Sequence, residues 1–251
     1  MDGRPNVTRR RGIYLLPNLL TTCGLFAGFY SIVASIDGNF QMAAWAIFAA
    51  MFFDSMDGRV ARLTSTSSEF GKEYDSLTDM VSFGLAPAIV IYQWGVQRLA
   101  EYGALWGRLG WLAAFLYVAA AAFRLARFNT NAGQDRRFFQ GLASPAAACG
   151  VASMAWLTSH YGIDGLTALV AGITVTAIAA LLMMSRFAYL SFKDISPGKR
   201  VRFANLLLIP LVIIVIAIEP QVTIFALFLV YAASGPAAWL WRRSRRQDSA
   251  S

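Results

Sequence analysis

Two pairs of aspartates stand close together in the first third of the chain. Asp54 and Asp57 are three residues apart, and Asp75 and Asp79 are four residues apart. Side chains at these spacings share one face of an α-helix. The stretch between the pairs is rich in Ser and Thr and is long enough to turn the chain back. We therefore expect the first pair (Asp54/Asp57) and the second pair (Asp75/Asp79) to face each other from two neighbouring helices.

Four carboxylates brought together in this way repel one another and resist leaving water. A hard divalent cation such as Mg²⁺ or Mn²⁺ relieves the repulsion, because it prefers carboxylate oxygens and keeps positions for water or phosphate oxygens. Two such ions could neutralise a pyrophosphate and stabilise the attacking and leaving oxygens of phosphoryl transfer. We predict a two-ion site held by all four aspartates. Asp79, nearest the membrane, is the predicted base that takes a proton from an attacking hydroxyl.

Two residues beside the first pair suit a phosphate ligand. Gly58 has no side chain and lets a bulky phosphate approach the backbone. Arg62 offers a planar fork of hydrogen-bond donors that matches phosphate oxygens. We predict that both contact the substrate phosphates.

The alternative is that the acids only solvate two helix ends and pair with nearby basic residues (Arg59, Arg62 and Lys72). A helix N-terminus favours acids, which could account for the second pair. It does not account for the first pair, which is predicted near the C-terminal end of an apolar helix, where the dipole disfavours acids. Ionisable residues at membrane depth usually have a function. We therefore favour the metal site.

The composition is that of a membrane protein. Of the 251 residues, 57% are hydrophobic and only 14% are charged, and the mean hydropathy is +0.51. A soluble domain normally has about a quarter charged residues. This excludes an ordinary soluble enzyme, a disordered protein and an extended nucleic-acid-binding surface, so we predict no nucleic-acid partner.

Apolar stretches of about 20 residues predict an all-α integral membrane protein with eight transmembrane helices, which form one membrane domain over 1–251. The predicted spans lie near 15–36, 40–58, 76–96, 108–128, 142–160, 165–185, 203–218 and 221–241. The third span is the least regular, because it contains Asp79, Ser82, Gly84 and Pro87. Such residues survive in a span where they face protein or a wet cavity.

The basic residues predict how these spans are oriented. With the N-terminus inside, all Lys and Arg residues except Arg98 and Arg108 fall on the cytoplasmic side. Orientation follows the Lys/Arg bias of short loops. We therefore predict that both termini and the aspartates face the cytoplasm, in the cell (inner) membrane.

The aspartate region resembles the signature of the CDP-alcohol phosphotransferase family, D-x-x-D-G-x-x-A-R, eight residues, then G-x-x-x-D-x-x-x-D. Every fixed position of that signature is present: Asp54, Asp57, Gly58, Ala61, Arg62, Gly71, Asp75 and Asp79. The resemblance implies a six-helix membrane core that transfers a substituted phosphate from a CDP-activated lipid to an alcohol and releases CMP.

The resemblance also implies a role for each site residue. Asp54 and Asp75 would bridge two divalent ions, Asp57 would hold one of them, and Asp79 would hold the other and act as the base. The residues implied in binding the CDP-lipid are Asn18, Gly58, Ala61, Arg62 and Ser68.

Further stretches are similar to one branch of the family, the phosphatidylserine synthases. They are Leu16–Thr21, Val81–Ala88, Arg124–Asn129, Gly141–Ala147 and Ser191–Lys193. This resemblance runs from about 13 to about 194, although Ala143 stands where the branch is expected to have proline. It implies that CDP-diacylglycerol and L-serine give phosphatidylserine and CMP by direct displacement. The catalytic core would be 13–185, with an accessory helix pair at 203–241.

Arg124, Arg127 and Asn129 are the predicted acceptor-binding residues. The two arginines share a helix face, and a guanidinium binds a carboxylate such as that of serine through two hydrogen bonds. A positive-inside anchor would also place arginines here. It would not require Asn129, nor an arginine a full turn inside the apolar stretch.

Several alternatives remain at this point. The same chemistry could use another acceptor, such as glycerol 3-phosphate, an inositol phosphate or choline. A cation transporter is disfavoured, because the acids cluster once and near one surface. Gly24 and Gly28 form a small-xxx-small pair that we expect to pack helices within one subunit. Membrane lipid and a second copy of the chain, forming a homodimer, are the expected partners.

Overall fold

The computed structural model describes residues 8–64, 68–130, 139–189 and 216–248. Within these residues, long helices dominate, together with one short antiparallel strand pair. The helices are α1 (Thr8–Ile36), α2 (Phe40–Leu63), α3 (Glu69–Asp79), α4 (Ala86–Trp94), α5 (Ala104–Thr130), α6 (Ser144–His160), α7 (Leu166–Met184) and α8 (Pro220–Asp248). The other elements are a π-helical segment (Met80–Leu85), a 3₁₀ helix (Val96–Tyr102), and strands β1 (Phe139–Gln140) and β2 (Ala188–Tyr189).

Helices α1 and α2 form a tightly packed hairpin. Gly38, with φ +75°, makes the turn, and the Asn39 side chain caps α2 by accepting a hydrogen bond from the Met42 backbone N–H at 3.1 Å. A side-chain oxygen at this position satisfies one of the free N–H groups of a helix start. Across the hairpin, the buried Ser31 hydroxyl donates to the Ala43 carbonyl at 2.8 Å. Buried alanines on α2 allow this close approach.

Helix α3, the π-helical segment and α4 run as one continuous rod. The residues at the two junctions, Met80 and Ala86, have right-handed helical φ and ψ angles. A π turn bonds residue i to i+5 and so contains one more residue than an α turn. The Tyr117 hydroxyl on α5 donates to the Phe83 carbonyl in this segment at 3.1 Å. The polar and helix-bending residues of the predicted third span therefore lie against protein.

The small-residue pair on α1 packs inside the subunit. A Cβ atom at Gly28 would overlap Ser82 of the π-helical segment, and the Ser82 hydroxyl donates to the Gly24 carbonyl at 3.1 Å. The expected use of this pair, close packing of helices within one chain, is confirmed.

The last helix packs against the rest of the core. The Phe228 ring lies against Gly150 on α6, where there is no room for a Cβ atom. The Tyr189 hydroxyl on β2 donates to the Ala232 carbonyl at 3.0 Å. Strand β2 pairs with β1, just before α6. Helix α8 is thus fixed at both α6 and the strand pair, while the predicted accessory role of 203–241 remains a prediction.

Four helices of the described residues are long and apolar enough to cross a membrane. The qualifying stretches are Leu16–Ile36, Ala104–Thr130, Leu166–Met184 and Pro220–Trp241. This supports a helical membrane protein. The count of eight spans and the orientation of the termini remain predictions, and most of the predicted span 203–218 lies outside the described residues.

The two predicted boundaries that flank the segment between the aspartate pairs differ from the structure. Helix α2 continues to Leu63 rather than ending near 58, and the third helix begins at Glu69 rather than near 76. The prediction followed apolar residues, whereas the backbone hydrogen bonds of a helix continue through polar residues. Ser68 caps the start of α3, because its hydroxyl accepts the Gly71 backbone N–H at 3.0 Å.

Candidate active site

Three of the four aspartates meet where α2 and α3 face each other. One carboxylate oxygen from each of Asp54, Asp57 and Asp75 lies within 4.8 Å of the others. Asp57 is buried, and the other two are half-buried. Three carboxylates this close repel one another unless a cation lies between them.

Asp79 lies one helical turn after Asp75 and lines the same small cavity. It is outside the group of three whose oxygens approach within 4.8 Å. Within the part of the chain that the structure describes, its buried Oδ1 atom has no hydrogen-bond partner, and the same is true of Oγ1 of the neighbouring Thr78. A buried polar atom without a partner is costly. The cavity therefore presents unsatisfied oxygens beside the carboxylate group.

Helix α1 contributes Thr21, a site residue that the sequence analysis did not predict. The Thr21 Oγ1 atom lies 2.7 Å from Oδ2 of Asp57, and the Gly58 backbone N–H also bonds this carboxylate. The sequence did contain a signal, because Asn18 and Thr21 are three residues apart and so share a helix face. Thr21 lies in Leu16–Thr21, one of the stretches that resemble the family, but the resemblance implies no role for it.

The helix bounds bear on the alternative that the acids only favour helix ends. Asp75 and Asp79 lie in the second and third turns of a helix that begins at Glu69. The helix dipole acts within the first turn, so it does not explain the second pair. The first pair also lies away from a helix end, because α2 continues to Leu63. The prediction that it sits at the end of this helix was wrong by more than one turn.

The residues predicted to bind the CDP-lipid lie on both sides of the carboxylates. Gly58, Ala61 and Arg62 occupy the last turns of α2, with Nη1 of Arg62 3.7 Å from the position of a Cβ at Gly58. On the other side, Ser68 Oγ and Asn18 Oδ1 lie 3.1 Å and 3.5 Å from the position of a Cβ at Gly71. The glycine thus leaves space between the Asn18 and Ser68 side chains.

The predicted acceptor-binding residues approach this site from α5. Nη1 of Arg124 donates to Oγ of Ser144 at 2.9 Å, whereas its buried Nε has no partner among residues 8–64, 68–130, 139–189 and 216–248. Arg124 and Asp79 interact electrostatically. Asn129 lies near the end of α5, where its side chain is exposed, and Arg127 is half-buried. All three are on α5, which packs against the rod formed by α3, the π-helical segment and α4.

Comparison with known proteins shows the family of this chain. The family model described as CDP-alcohol phosphatidyltransferase matches residues 14–188. The chain belongs to this family. The match spans α1 to β2 and includes both aspartate pairs, and the predicted resemblance is confirmed over nearly the same range.

Three relatives show where in the family the chain lies. A Helicobacter pylori protein named CDP-diacylglycerol–serine O-phosphatidyltransferase is 35% identical over 231 residues, covering 91% of this chain and 92% of the relative. A Mycobacterium leprae protein of the same name is 30% identical over 247 residues, covering 95% and 79%. The archaetidylserine synthase of Methanothermobacter thermautotrophicus is 37% identical over 172 residues, covering 68% and 67%.

The residues present fit a divalent metal. The donor set consists of carboxylate oxygens, which are the ligands that Mg²⁺ and Mn²⁺ prefer. Three of them already lie close enough to share an ion, and the unsatisfied Oδ1 of Asp79 borders the same cavity. A bound cation would remove the repulsion among the three close carboxylates.

Proposed function

We propose that this chain transfers the phosphatidyl group from CDP-diacylglycerol to L-serine and releases phosphatidylserine and CMP. The observation that supports this most directly is the approach of Asp54, Asp57 and Asp75 within 4.8 Å, in a chain whose relatives bear serine-transferase names. An acidic cluster beside Arg62 and Gly58 suits a pyrophosphate better than any apolar substrate.

Divalent cations, Mg²⁺ or Mn²⁺, two to a site, would be held by Asp54, Asp57 and Asp75, with Asp79 as a fourth ligand. When bound, they supply positive charge that neutralises the pyrophosphate and the developing charge of the leaving group. Asn18, Ser68, Gly58, Ala61 and Arg62 would bind the CDP part around them.

Asp79 would take the proton from the acceptor hydroxyl. Its buried Oδ1 has no hydrogen-bond partner among the described residues, so it can accept from a hydroxyl that enters the cavity. As the proton moves to Asp79, the serine oxygen forms a bond to the lipid-side phosphorus. The bond between that phosphorus and the bridging oxygen breaks, and CMP leaves with this oxygen. One displacement completes the reaction without a covalent enzyme intermediate.

Arg124 would select the acceptor. Its Nε and Oδ1 of Asp79, which have no partners among the described side chains and backbone, are complementary to the two ends of serine, because a guanidinium binds the carboxylate while Asp79 would face the hydroxyl. Arg127 and Asn129, further along α5, would complete this subsite. Choline lacks an anionic group for Arg124, whereas glycerol 3-phosphate and an inositol phosphate have one, so the phosphorylated alcohols are the informative competitors.

The membrane arrangement is part of the proposal. The acyl chains would lie along the helices, and the CDP head would enter from the cytoplasmic face of the cell (inner) membrane. The enzyme would act as a homodimer, and 203–241 would form an accessory pair beside the core.

The test is CMP release by purified enzyme in detergent, with CDP-diacylglycerol and one alcohol at a time. Serine alone should support release and give phosphatidylserine. EDTA should abolish the reaction, and Mg²⁺ or Mn²⁺ should restore it. Release with glycerol 3-phosphate, an inositol phosphate or choline but not serine would overturn the proposed acceptor. Cation flux into proteoliposomes without CMP release would favour a transporter.

A further inference from the structure

A threonine on α1 contacts the most buried carboxylate of the site. Thr21 is 4% exposed and Asp57 is 6% exposed, so both side chains have little access to bulk water. The Thr21 hydroxyl oxygen lies 2.7 Å from Oδ2 of Asp57 and 3.0 Å from the carbonyl oxygen of Pro17, one turn earlier in α1. Thr21 therefore joins a helix without acidic site residues to a helix that has two.

The hydroxyl has one proton and two neighbouring acceptors. If the proton pointed to Pro17, lone pairs of the Thr21 oxygen and of the ionised Asp57 carboxylate would face each other at 2.7 Å. A hydroxyl that donates to a carboxylate makes a short and strong hydrogen bond. The proton therefore points to Asp57. The Pro17 carbonyl can still accept the backbone N–H of Thr21, four residues later in the helix.

This bond restricts how the Asp57 carboxylate turns. One oxygen is fixed by Thr21, and each carboxylate oxygen has further lone pairs for a cation. Groups that bond to a metal ligand without touching the metal orient that ligand and affect metal affinity. Without the Thr21 bond, the carboxylate would keep only the bond from the Gly58 backbone N–H, so it could turn about that bond and would have to be reoriented when an ion binds.

We infer that Thr21 is a positioning residue of the metal site, which holds the Asp57 carboxylate in the orientation that a divalent cation requires. This inference rests on the proposed function, because it needs Asp57 to be a metal ligand. It assigns a role in the active site to α1 that is separate from packing.

A neighbouring threonine offers a matched control. The Thr22 hydroxyl lies on the same turn of α1, but its partners are the Asn18 carbonyl, at 2.7 Å, and the Tyr74 hydroxyl, at 3.0 Å. Among the described residues, the Thr22 hydroxyl bonds no aspartate. Replacement of either threonine by valine removes one hydroxyl and keeps the branched shape.

The experiment measures Mn²⁺ binding to the full chain in detergent by electron paramagnetic resonance, without substrates. Thr21→Val should weaken Mn²⁺ affinity by about 10- to 100-fold, the usual effect of losing such a supporting group. Thr21→Ser keeps the hydroxyl and should retain most of the affinity, whereas Thr22→Val should leave it unchanged. In the Asp57→Asn background, Thr21→Val should have no further effect, because neighbours that act together are not additive.

If Thr21→Val does not fold, Thr21→Ser and Thr21→Ala decide the question, since they differ by one oxygen atom. Equal Mn²⁺ affinity in the variants with and without the hydroxyl would overturn the inference and leave the proposed function intact. A lower melting temperature in EDTA with unchanged Mn²⁺ affinity would likewise assign Thr21 a purely structural role. No saturable Mn²⁺ binding by the wild-type chain would overturn the metal site itself.

Discussion

The side-chain amide of Asn129 donates a hydrogen bond to the hydroxyl of Ser76, with 2.9 Å between Nδ2 and Oγ. Ser76 directly follows Asp75, so this bond ties the end of α5 to the rod that holds the second aspartate pair. The helix with the proposed acceptor-binding residues is thereby fixed against the helix with the proposed base.

Removal of this tie should weaken the use of serine. We expect Asn129→Ala to raise KM for serine about fivefold, since one neutral hydrogen bond contributes about 1 kcal/mol. KM for CDP-diacylglycerol should change little. Steady-state kinetics with each substrate varied in turn measures both values. Thr130→Ala, next in the chain and bonded to the Arg127 carbonyl, is the control. An equal rise in both KM values would mean that the bond only stabilises the fold.

The two aspartate pairs should separate binding from chemistry. Asp79→Asn removes the proposed base and should lower kcat by about 10²–10⁴-fold, while binding of CDP-diacylglycerol largely survives. Asp54→Asn should lose binding of both metal and nucleotide, because it replaces one of the three clustered carboxylates by a neutral amide. Nucleotide binding measured by calorimetry in detergent, together with CMP release, distinguishes the two. Equal loss of nucleotide binding in both variants would show that the roles are wrongly assigned.

Two arginines allow a test of acceptor recognition with the same change of charge. Arg124→Gln should raise KM for serine by roughly 10- to 150-fold, because hydrogen bonds to charged groups contribute about 1.5–3 kcal/mol. Arg124→Lys should not restore it, because an ammonium does not reproduce the planar fork.

Arg98→Gln is the matched control for that series. Arg98 pairs with Asp164 at 3.4 Å, and both side chains are well exposed. Such pairs contribute little, so the serine KM should stay at the wild-type value. Similar effects of Arg98→Gln and Arg124→Gln would point to overall charge rather than to a serine subsite.

The packing of α1 on the aspartate rod predicts opposite behaviour for two glycines. Gly28→Ala places a Cβ atom against Ser82 and should destabilise the protein by about 1–3 kcal/mol. Gly24→Ala should be tolerated, because its Cβ would find its nearest neighbours at 3.7 Å. Thermal unfolding in detergent compares the two. Equal melting temperatures would show that α1 shifts to make room.

The central part of the site followed from the sequence because its signals are local. Spacings of three and four residues place Asp54 with Asp57 and Asp75 with Asp79 whatever the rest of the fold does. The meeting of the two helices also followed, since the stretch between them is short. The range that the family model matches, 14–188, contains all four aspartates.

The rest depended on contacts between distant parts of the chain. The bond from Thr21 to Asp57 joins residues 36 positions apart, and no local pattern pairs them. The end of α2 and the start of α3 differ from the prediction, because the prediction followed apolar residues. The helical backbone of α2 continues to Leu63, and that of α3 begins at Glu69. The π-helical segment is bonded to α1 through Ser82 and to α5 through Phe83, and these contacts join residues that are distant in the sequence.

That segment makes the length of the third rod as important as its composition. Each residue turns an α-helix by about 100°, so deletion of a single residue between Met80 and Leu85 would swivel the membrane-embedded half of the rod relative to the half with the carboxylates. Every signature amino acid would still be present in such a chain. The aspartates would nevertheless be rotated relative to Ser82 and Phe83, which bond α1 and α5. The rotation between the two halves of the rod is therefore a requirement of the site that a comparison of residue identities does not reveal.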